Sequence, residues 1–297
     1  MILGIIKTKM KQTKFYSYFQ LMRLDKPIGI YLLLWPTLWA LWIAAEGIPE
    51  SWTLLVFCLG VLIMRSAGCI INDYADRDFD AHVTRTKQRP LAQNKISTKG
   101  ALLLFSILIG IAFALVLTLN SLTIKLSFIA AMLASFYPFM KRYTYFPQMI
   151  LGAAFAWSIP MAFAAVQNQV PLISWIIYLS TLLWVLAYDT LYGMVDRDDD
   201  LKLGLKSTAI LFGDADLVIV TWIQGLFLAG MFLLAQQLEL GIYYYIGWAV
   251  AVALVAWQLY QCRSRKTEVY FKSFLQNNYV GLVLFLGIAA HYYFEQI

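Results

Sequence analysis

Nine stretches of this chain run for roughly 20 residues with almost no charge, long enough for each to cross the hydrocarbon core of a bilayer as a helix. They begin near Ile28, Trp52, Gly100, Leu122, Gln148, Pro171, Thr208, Gly241 and Asn277. Of the 297 residues 61% are hydrophobic and only 13% charged. A soluble domain carries roughly 45–50% apolar and about 25% charged residues. The length therefore supplies several membrane spans within one membrane-embedded domain, residues 1–297, and the expected class is all-α with nine transmembrane helices. A tight turn around Asn120 separates the third and fourth stretches, and the seventh is the least distinct because Asp214 and Asp216 fall near its start. Pro36, Pro138 and Pro160 sit within or at the ends of spans, where proline kinks a helix without abolishing it.

The positive charges orient the bundle. Of 23 Lys and Arg residues, six precede the first span, six lie between Arg77 and Lys99, and two follow the fourth span. Three more lie between Arg197 and Lys206 and four between Arg263 and Lys272, leaving only Arg65 and Lys125 elsewhere. Cytoplasmic loops collect Lys and Arg, so the N-terminus and the charged loops are expected inside and the C-terminus outside, in a bacterial inner membrane. Anionic headgroups account for the net charge of +6, and no nucleic-acid partner is needed. Residues 1–26 read as a basic cytoplasmic or interfacial segment, in which Phe15, Tyr18, Phe19 and Met22 suit a short surface helix and the first dozen residues equally suit a mobile tail. Their order of charge and apolarity is the reverse of a secretory signal. Cys58, Cys69 and Cys262 show neither pairing nor metal spacing and read as small hydrophobes.

Against this background the acidic residues are concentrated at two points, "NDYADRDFD" (Asn72 to Asp80) and "DRDDD" (Asp196 to Asp200), directly after the second and sixth spans. Asn72, Asp76 and Asp80 are spaced four apart, as are Asp196 and Asp200, so a continuing helix stacks each set on one face. Like charges at that spacing destabilise a helix unless something neutralises them. Oxygen donors without His or Cys favour a hard divalent ion. Mg²⁺ takes one or two carboxylates and completes its shell with water and phosphate. An EF-hand is excluded, because Ala81 and Leu201 stand where its loop needs glycine and Lys87 and Ser207 where it needs glutamate. Two carboxylate faces around Mg²⁺ point to a shared polyanion such as diphosphate, clamped by Arg85, Lys87, Arg89, Lys141, Arg142, Lys202 and Lys206. Solvated charged loops would explain one such run more simply than two with matching spacing. A cation transporter remains open on pattern alone, although it should string acids through the spans toward the outer face. Only Asp189 lies deep, while Glu46, Glu50, Glu239 and Glu295 belong to outer ends.

These residues resemble the UbiA superfamily of membrane prenyltransferases. "NDYADRDFD" fits its N-D-x-x-D-x-x-x-D motif and "DRDDD" its D-x-x-x-D motif. The blocks "RLDKPIGIYLLLWPTLWAL", "RSAGCIINDYADRDFDAHVTRTKQRPL", "YPFMKRYT", "GAAFAWSIPMAFAA", "YDTLYGMVDRDDDLKLGLKSTAILFG" and "NNYVGLVLFLG" look like the 4-hydroxybenzoate polyprenyltransferase branch, from about Arg23 to about Gly287. The resemblance implies nine helices around a central cavity facing the cytoplasm. It also implies Mg²⁺-dependent transfer of a polyprenyl group from its diphosphate to the carbon ortho to the phenol of 4-hydroxybenzoate, a step of ubiquinone synthesis. By motif position Asn72, Asp76, Asp80, Asp196 and Asp200 would hold the metal diphosphate, and Asp73 would belong to the same motif. Tyr137 and Lys141 match a Y-x-x-x-K element associated with the diphosphate. Gly193 stands where the branch leads one to expect alanine.

Such a reaction also needs a dry pocket and a grip on the aromatic acid. Arg65 lies seven residues before Asn72 on the same helix face, and its fork matches a carboxylate. A cation that deep costs about 2.5–3.5 kcal/mol on insertion scales and must face a partner. It is expected either to hold the substrate or to pair with Asp189, seven residues before Asp196. Arg142 is the second candidate, or else a snorkelling surface arginine. Asp189 could alternatively accept the phenol or ring proton. His82 and His291 do not look like ligands. The prenyl tail would enter from lipid between helices, since each buried CH₂ contributes about 0.8 kcal/mol.

Overall fold

The computed structural model describes residues 14–81, 83 and 85–294. Among these residues the regular elements are all helical, and nine helices are long and apolar enough to cross a membrane. They are Ile28–Ala45, Ser51–Ala75, Thr98–Val116, Ser121–Arg142, Pro147–Gln167, Leu172–Lys202, Thr208–Gln237, Ile242–Cys262 and Thr267–Phe294, the first to ninth spans below. The ninth begins ten residues before its expected start at Asn277. Its first turns bury Tyr270 and Ser273 on one face and expose Glu268 and Lys272 on the other, so no unbroken apolar run marks them.

Local chemistry explains the breaks. The fifth span is divided at Trp157 into Pro147–Ala156 and Ser158–Gln167, because Pro160 has no N–H to offer the carbonyl one turn back. The seventh divides at Gly213, whose φ of 52° ends a short helix before Asp216–Gln237 begins. Asn120 supplies the expected turn, its side chain accepting from the Thr123 N–H at 2.9 Å to cap the fourth span.

The sixth span is the central post, packed against the fifth, seventh and ninth. Trp184 on it meets Trp39 of the first span at 5.5 Å between centroids and Phe227 of the seventh at 5.8 Å. In hydrocarbon each indole N–H needs an internal partner. Trp39 donates to the Gly281 carbonyl at 3.0 Å and Trp184 to the Asn277 side chain at 2.9 Å. The eighth and ninth spans approach so closely that a Cβ on Gly247 would stand 2.7 Å from the Val283 carbonyl oxygen.

Length then positions the acids. The sixth span has 31 residues, roughly 46 Å of helix, against about 30 Å of hydrocarbon core. Its C-terminal turns therefore project past the core, carrying Asp196 and Asp200. The helix Lys14–Leu21 does not lie free on a surface: Tyr18, Leu21 and Met22 pack on Ile70, Leu91, Ile96 and Ala101. Residues 1–13 of the basic N-terminal segment, His82 and Glu295 fall outside the described residues.

Candidate active site

The first acidic end differs in one respect from a continuous helix. The second span stops at Ala75, Asp76 caps it with φ −92° and ψ 2°, and a short helix, Arg77–Asp80, resumes. The Asp76 N–H donates to the Asn72 carbonyl at 2.9 Å and the Asp80 N–H to the Asp76 carbonyl at 2.8 Å, so the four-residue repeat survives the break. Burial sorts the acids as that repeat requires. Asp76 is 7% exposed and Asp80 5%, whereas the Asp78 side chain is 71% exposed. Burial pushes the Asp76 carboxyl above its ordinary value, with the Lys141 charge opposing it.

Asp73 faces elsewhere and serves as an anchor. Arg23 Nη2 reaches both its oxygens, at 2.8 and 3.0 Å, and Arg89 Nη1 lies 3.1 Å from Oδ1. Arg89 also donates to Asp80 at 2.7 Å. Burial alone would lower the Arg89 pKa, but Asp73 and Asp80 outweigh it and hold the guanidinium above its ordinary value. Arg23 escaped the sequence reading, since nothing marks which of six N-terminal cations turns inward.

At the second end Asp196 and Asp200 are buried while Asp198 is exposed. Arg85, from the loop after the first motif, grips Asp196 with both edges of its fork, Nε to Oδ1 at 2.9 Å and Nη2 to Oδ2 at 2.5 Å. Its guanidinium lies 4.6 Å from the Tyr192 ring. The loop after the first motif is thus tied to the second motif across 111 residues of sequence.

Between the two ends sits the tight 3₁₀ turn Tyr137–Arg142, opened by Pro138. Arg142 Nη2 donates to the Ala75 carbonyl at 2.5 Å, and the Lys206 N–H donates to the Lys141 carbonyl at 2.9 Å, so this turn touches both acidic ends. The Lys141 ammonium feels the charges of Asp76, Asp200 and Asp196 together. Lys206 turns its own ammonium toward the Tyr143 carbonyl, at 3.3 Å. Lys87 and Lys202 are exposed, the latter 3.6 Å from Asp199.

Beside this charged layer lies an apolar cavity of about 210 Å³, lined along the second span by Val56, Gly60, Met64 and Gly68 and by small residues of the fourth, Ala130, Ala131 and Ala134. Arg65 and Tyr137 also line it. The charge of Asp189 lies within reach of Lys141, Arg65, Asp196 and Arg85. Arg65 and Asp189 are nevertheless not ion-paired, and Arg65 Nε is buried without a hydrogen-bond partner. The alternative of a structural pair with Asp189 is thus not realised among the described residues: the second and sixth spans hardly touch, and the short aspartate side chain does not bridge them.

Every candidate metal donor is an oxygen, and no three acids are already gathered as a cage among the described residues. That fits a hard divalent ion held by one or two carboxylates on each side, with phosphate oxygens filling its shell. The back of the second end is braced separately. Asp216, 1% exposed, accepts from Arg197 Nη2 at 2.5 Å and lies 3.3 Å from Arg265 Nη1. Arg197 is the residue next to Asp196. Asp216→Asn is expected to lower stability by about 1–3 kcal/mol, through two weakened guanidinium contacts, and turnover about tenfold. Thermal unfolding and single-turnover rates of the same preparation test both.

Nine spans carrying two acidic helix ends beside an apolar cavity are the frame of an integral membrane prenyltransferase: residues 33–280 match the UbiA prenyltransferase family, and the chain belongs to it. It is 54% identical to a 4-hydroxybenzoate octaprenyltransferase of Pseudomonas aeruginosa and 55% identical to one of Pseudomonas syringae pv. tomato, each over 93% of this chain and 94% of the relative. Among solved structures it resembles the apo UbiA homolog of Aeropyrum pernix, with a TM-score of 0.78 at 24% identity over 88% of this chain and 96% of that one. The Archaeoglobus fulgidus homolog bound to GPP and Mg²⁺ gives a TM-score of 0.71 at 17% identity over 90% of this chain and 99% of that one.

Proposed function

We propose that the protein transfers a polyprenyl group from polyprenyl diphosphate to the ring carbon ortho to the hydroxyl of 4-hydroxybenzoate, using Mg²⁺, in ubiquinone synthesis. What supports this reading best is that Arg85, from the loop after the first acidic end, grips Asp196 of the second, while the turn carrying Lys141 bonds to Ala75 and Lys206 beside an apolar cavity. The close relatives, named for that octaprenyl transfer, and the diphosphate and Mg²⁺ of the A. fulgidus homolog support it. Residues 1–297 act as one domain in the bacterial inner membrane, with the N-terminus and the acidic ends cytoplasmic and the C-terminus outside, because the basic loops fall on that side.

Asn72, Asp76 and Asp80 on one side and Asp196 and Asp200 on the other hold the metal diphosphate. Mg²⁺ bound there offsets the charge that develops on the diphosphate as the C–O bond breaks. Lys141, Arg85 and Arg89 add fixed positive charge to the same layer, with Arg142 and Lys206 bracing the turn that carries Lys141. The prenyl chain lies in the cavity, whose apolar walls keep water from the allylic carbon. Arg65 takes the carboxylate of the acceptor, and Tyr137 lines the same cavity beside it. The new C–C bond forms at the ring carbon, diphosphate leaves, and Asp189 receives the ring proton.

Membranes given one labelled prenyl diphosphate and, in turn, 4-hydroxybenzoate, a naphthoate and homogentisate should put label into lipid only with the first. Label that follows another acceptor would move the protein to a sister activity. Arg65→Ala should raise the KM for 4-hydroxybenzoate by roughly tenfold or more while leaving the KM for the prenyl donor unchanged. An unaltered acceptor KM would leave Arg65 a packing residue.

A further inference from the structure

We propose that Gly29 of the first span is a positioning residue for the acceptor, because its missing side chain is the space that the Arg65 guanidinium occupies. The inference rests on the reading that Arg65 holds the acceptor carboxylate. A Cβ added at Gly29 would stand 2.7 Å from Arg65 Cζ and nearer still to Nε and Nη2, closer than real Cβ contacts come. The Phe155 ring of the fifth span lies 5.7 Å from the same Cζ. The guanidinium is thus wedged between one span's backbone and another's ring at the wall of the cavity.

Packing alone aims it. Among the described residues Arg65 has no ion pair, and its Nε is buried with no hydrogen-bond partner, so no described carboxylate fixes the fork. Nothing in the backbone calls for glycine at position 29 either. Gly29 lies in the first turn of a helix, its φ is not positive, and alanine is accommodated there at least as well. The requirement is for room. Any side chain there pushes the end of a flexible arginine into the cavity, which moves the fork without dislodging a span.

This gives the two properties of a Gly29→Ala variant opposite signs. The helix should hold as well as before or better, while the acceptor loses its grip. The test uses the full-length protein in proteoliposomes as wild type, Gly29→Ala, Arg65→Ala and the double variant, with equilibrium binding of labelled 4-hydroxybenzoate, KM for both substrates and thermal unfolding. Gly29→Ala should raise the acceptor Kd and KM roughly ten- to a hundredfold, since displacement by about 1 Å can cost that much. The prenyl-donor KM should change far less than the acceptor KM, and the Tm should not fall. In the Arg65→Ala background the same change should do nothing further to acceptor binding. A Gly29→Ala protein with wild-type acceptor Kd, or one whose effect adds in full to that of Arg65→Ala, overturns the proposal. If Arg65→Ala itself leaves the acceptor Kd unchanged, the assignment of Arg65 falls instead, and Gly29 loses its role with it.

Discussion

Replacing Asp76 by alanine is expected to slow prenyl transfer by on the order of a thousandfold or more, with the protein still inserted and folded. Asp196→Ala should slow it as much, yet the two variants should differ in stability. Asp76 is buried, and its one side-chain bond among the described residues is a long 3.4 Å contact from Asn72. Its loss removes a repulsion among Asp73, Asp76 and Asp80 together with an attraction to Lys141, and breaks no ion pair among the described residues. Asp196 accepts both bonds of Arg85. Its loss strands a guanidinium, a change that costs about 3–5 kcal/mol when the charge is fully buried. The Arg85 side chain is 30% exposed, so water absorbs much of that. Rates measured beside thermal unfolding in detergent separate the two effects. Normal product formation by either variant would remove the paired acids from the chemistry.

Lys141→Met carries the second large effect, and its sign is less obvious. The charges of Asp76, Asp200 and Asp196 all act on this one ammonium, though none is ion-paired with it among the described residues, so Lys141 competes with a divalent cation for the same carboxylates. Removing it should tighten metal binding to the protein alone. It should also slow turnover by on the order of a hundredfold, because a fixed positive charge facing the departing diphosphate is lost. Mn²⁺ titration followed by electron paramagnetic resonance gives the first quantity and single-turnover kinetics the second. A fall in both metal affinity and rate would mean that Lys141 merely holds the turn in shape.

What the sequence could express about this site is whatever repeats along one helix. The four-residue spacing separated Asp76, Asp80, Asp196 and Asp200 from Asp78 and Asp198, and burial divides them the same way. Asn120 announced its own turn, because a cap acts over three residues. Contacts between spans left no such trace. Arg23 and Asp73 are 50 residues apart, Arg85 and Asp196 are 111, and the hydrogen bond from Lys206 to Lys141 joins two loops that only the folded bundle brings together. The overlap of Gly29 with Arg65 is likewise a property of two helices at one crossing. The choice between substrate contact and an Asp189 pair for Arg65 stayed open in the sequence for the same reason: position along each helix was legible, and the distance between helices was not. Amphipathic burial, as in the first turns of the ninth span, also hides from a search for unbroken apolar runs.

The most direct measurement is a cryo-EM or crystal structure of the protein with Mg²⁺ and an unreactive prenyl thiodiphosphate. The diphosphate should sit between the two acidic ends, with metal ions about 2.0–2.1 Å from oxygens of Asp76 or Asp80 and of Asp196 or Asp200, Lys141 beside it, and the chain in the neighbouring cavity. A headgroup held by one end alone, or bound away from both, would contradict the account.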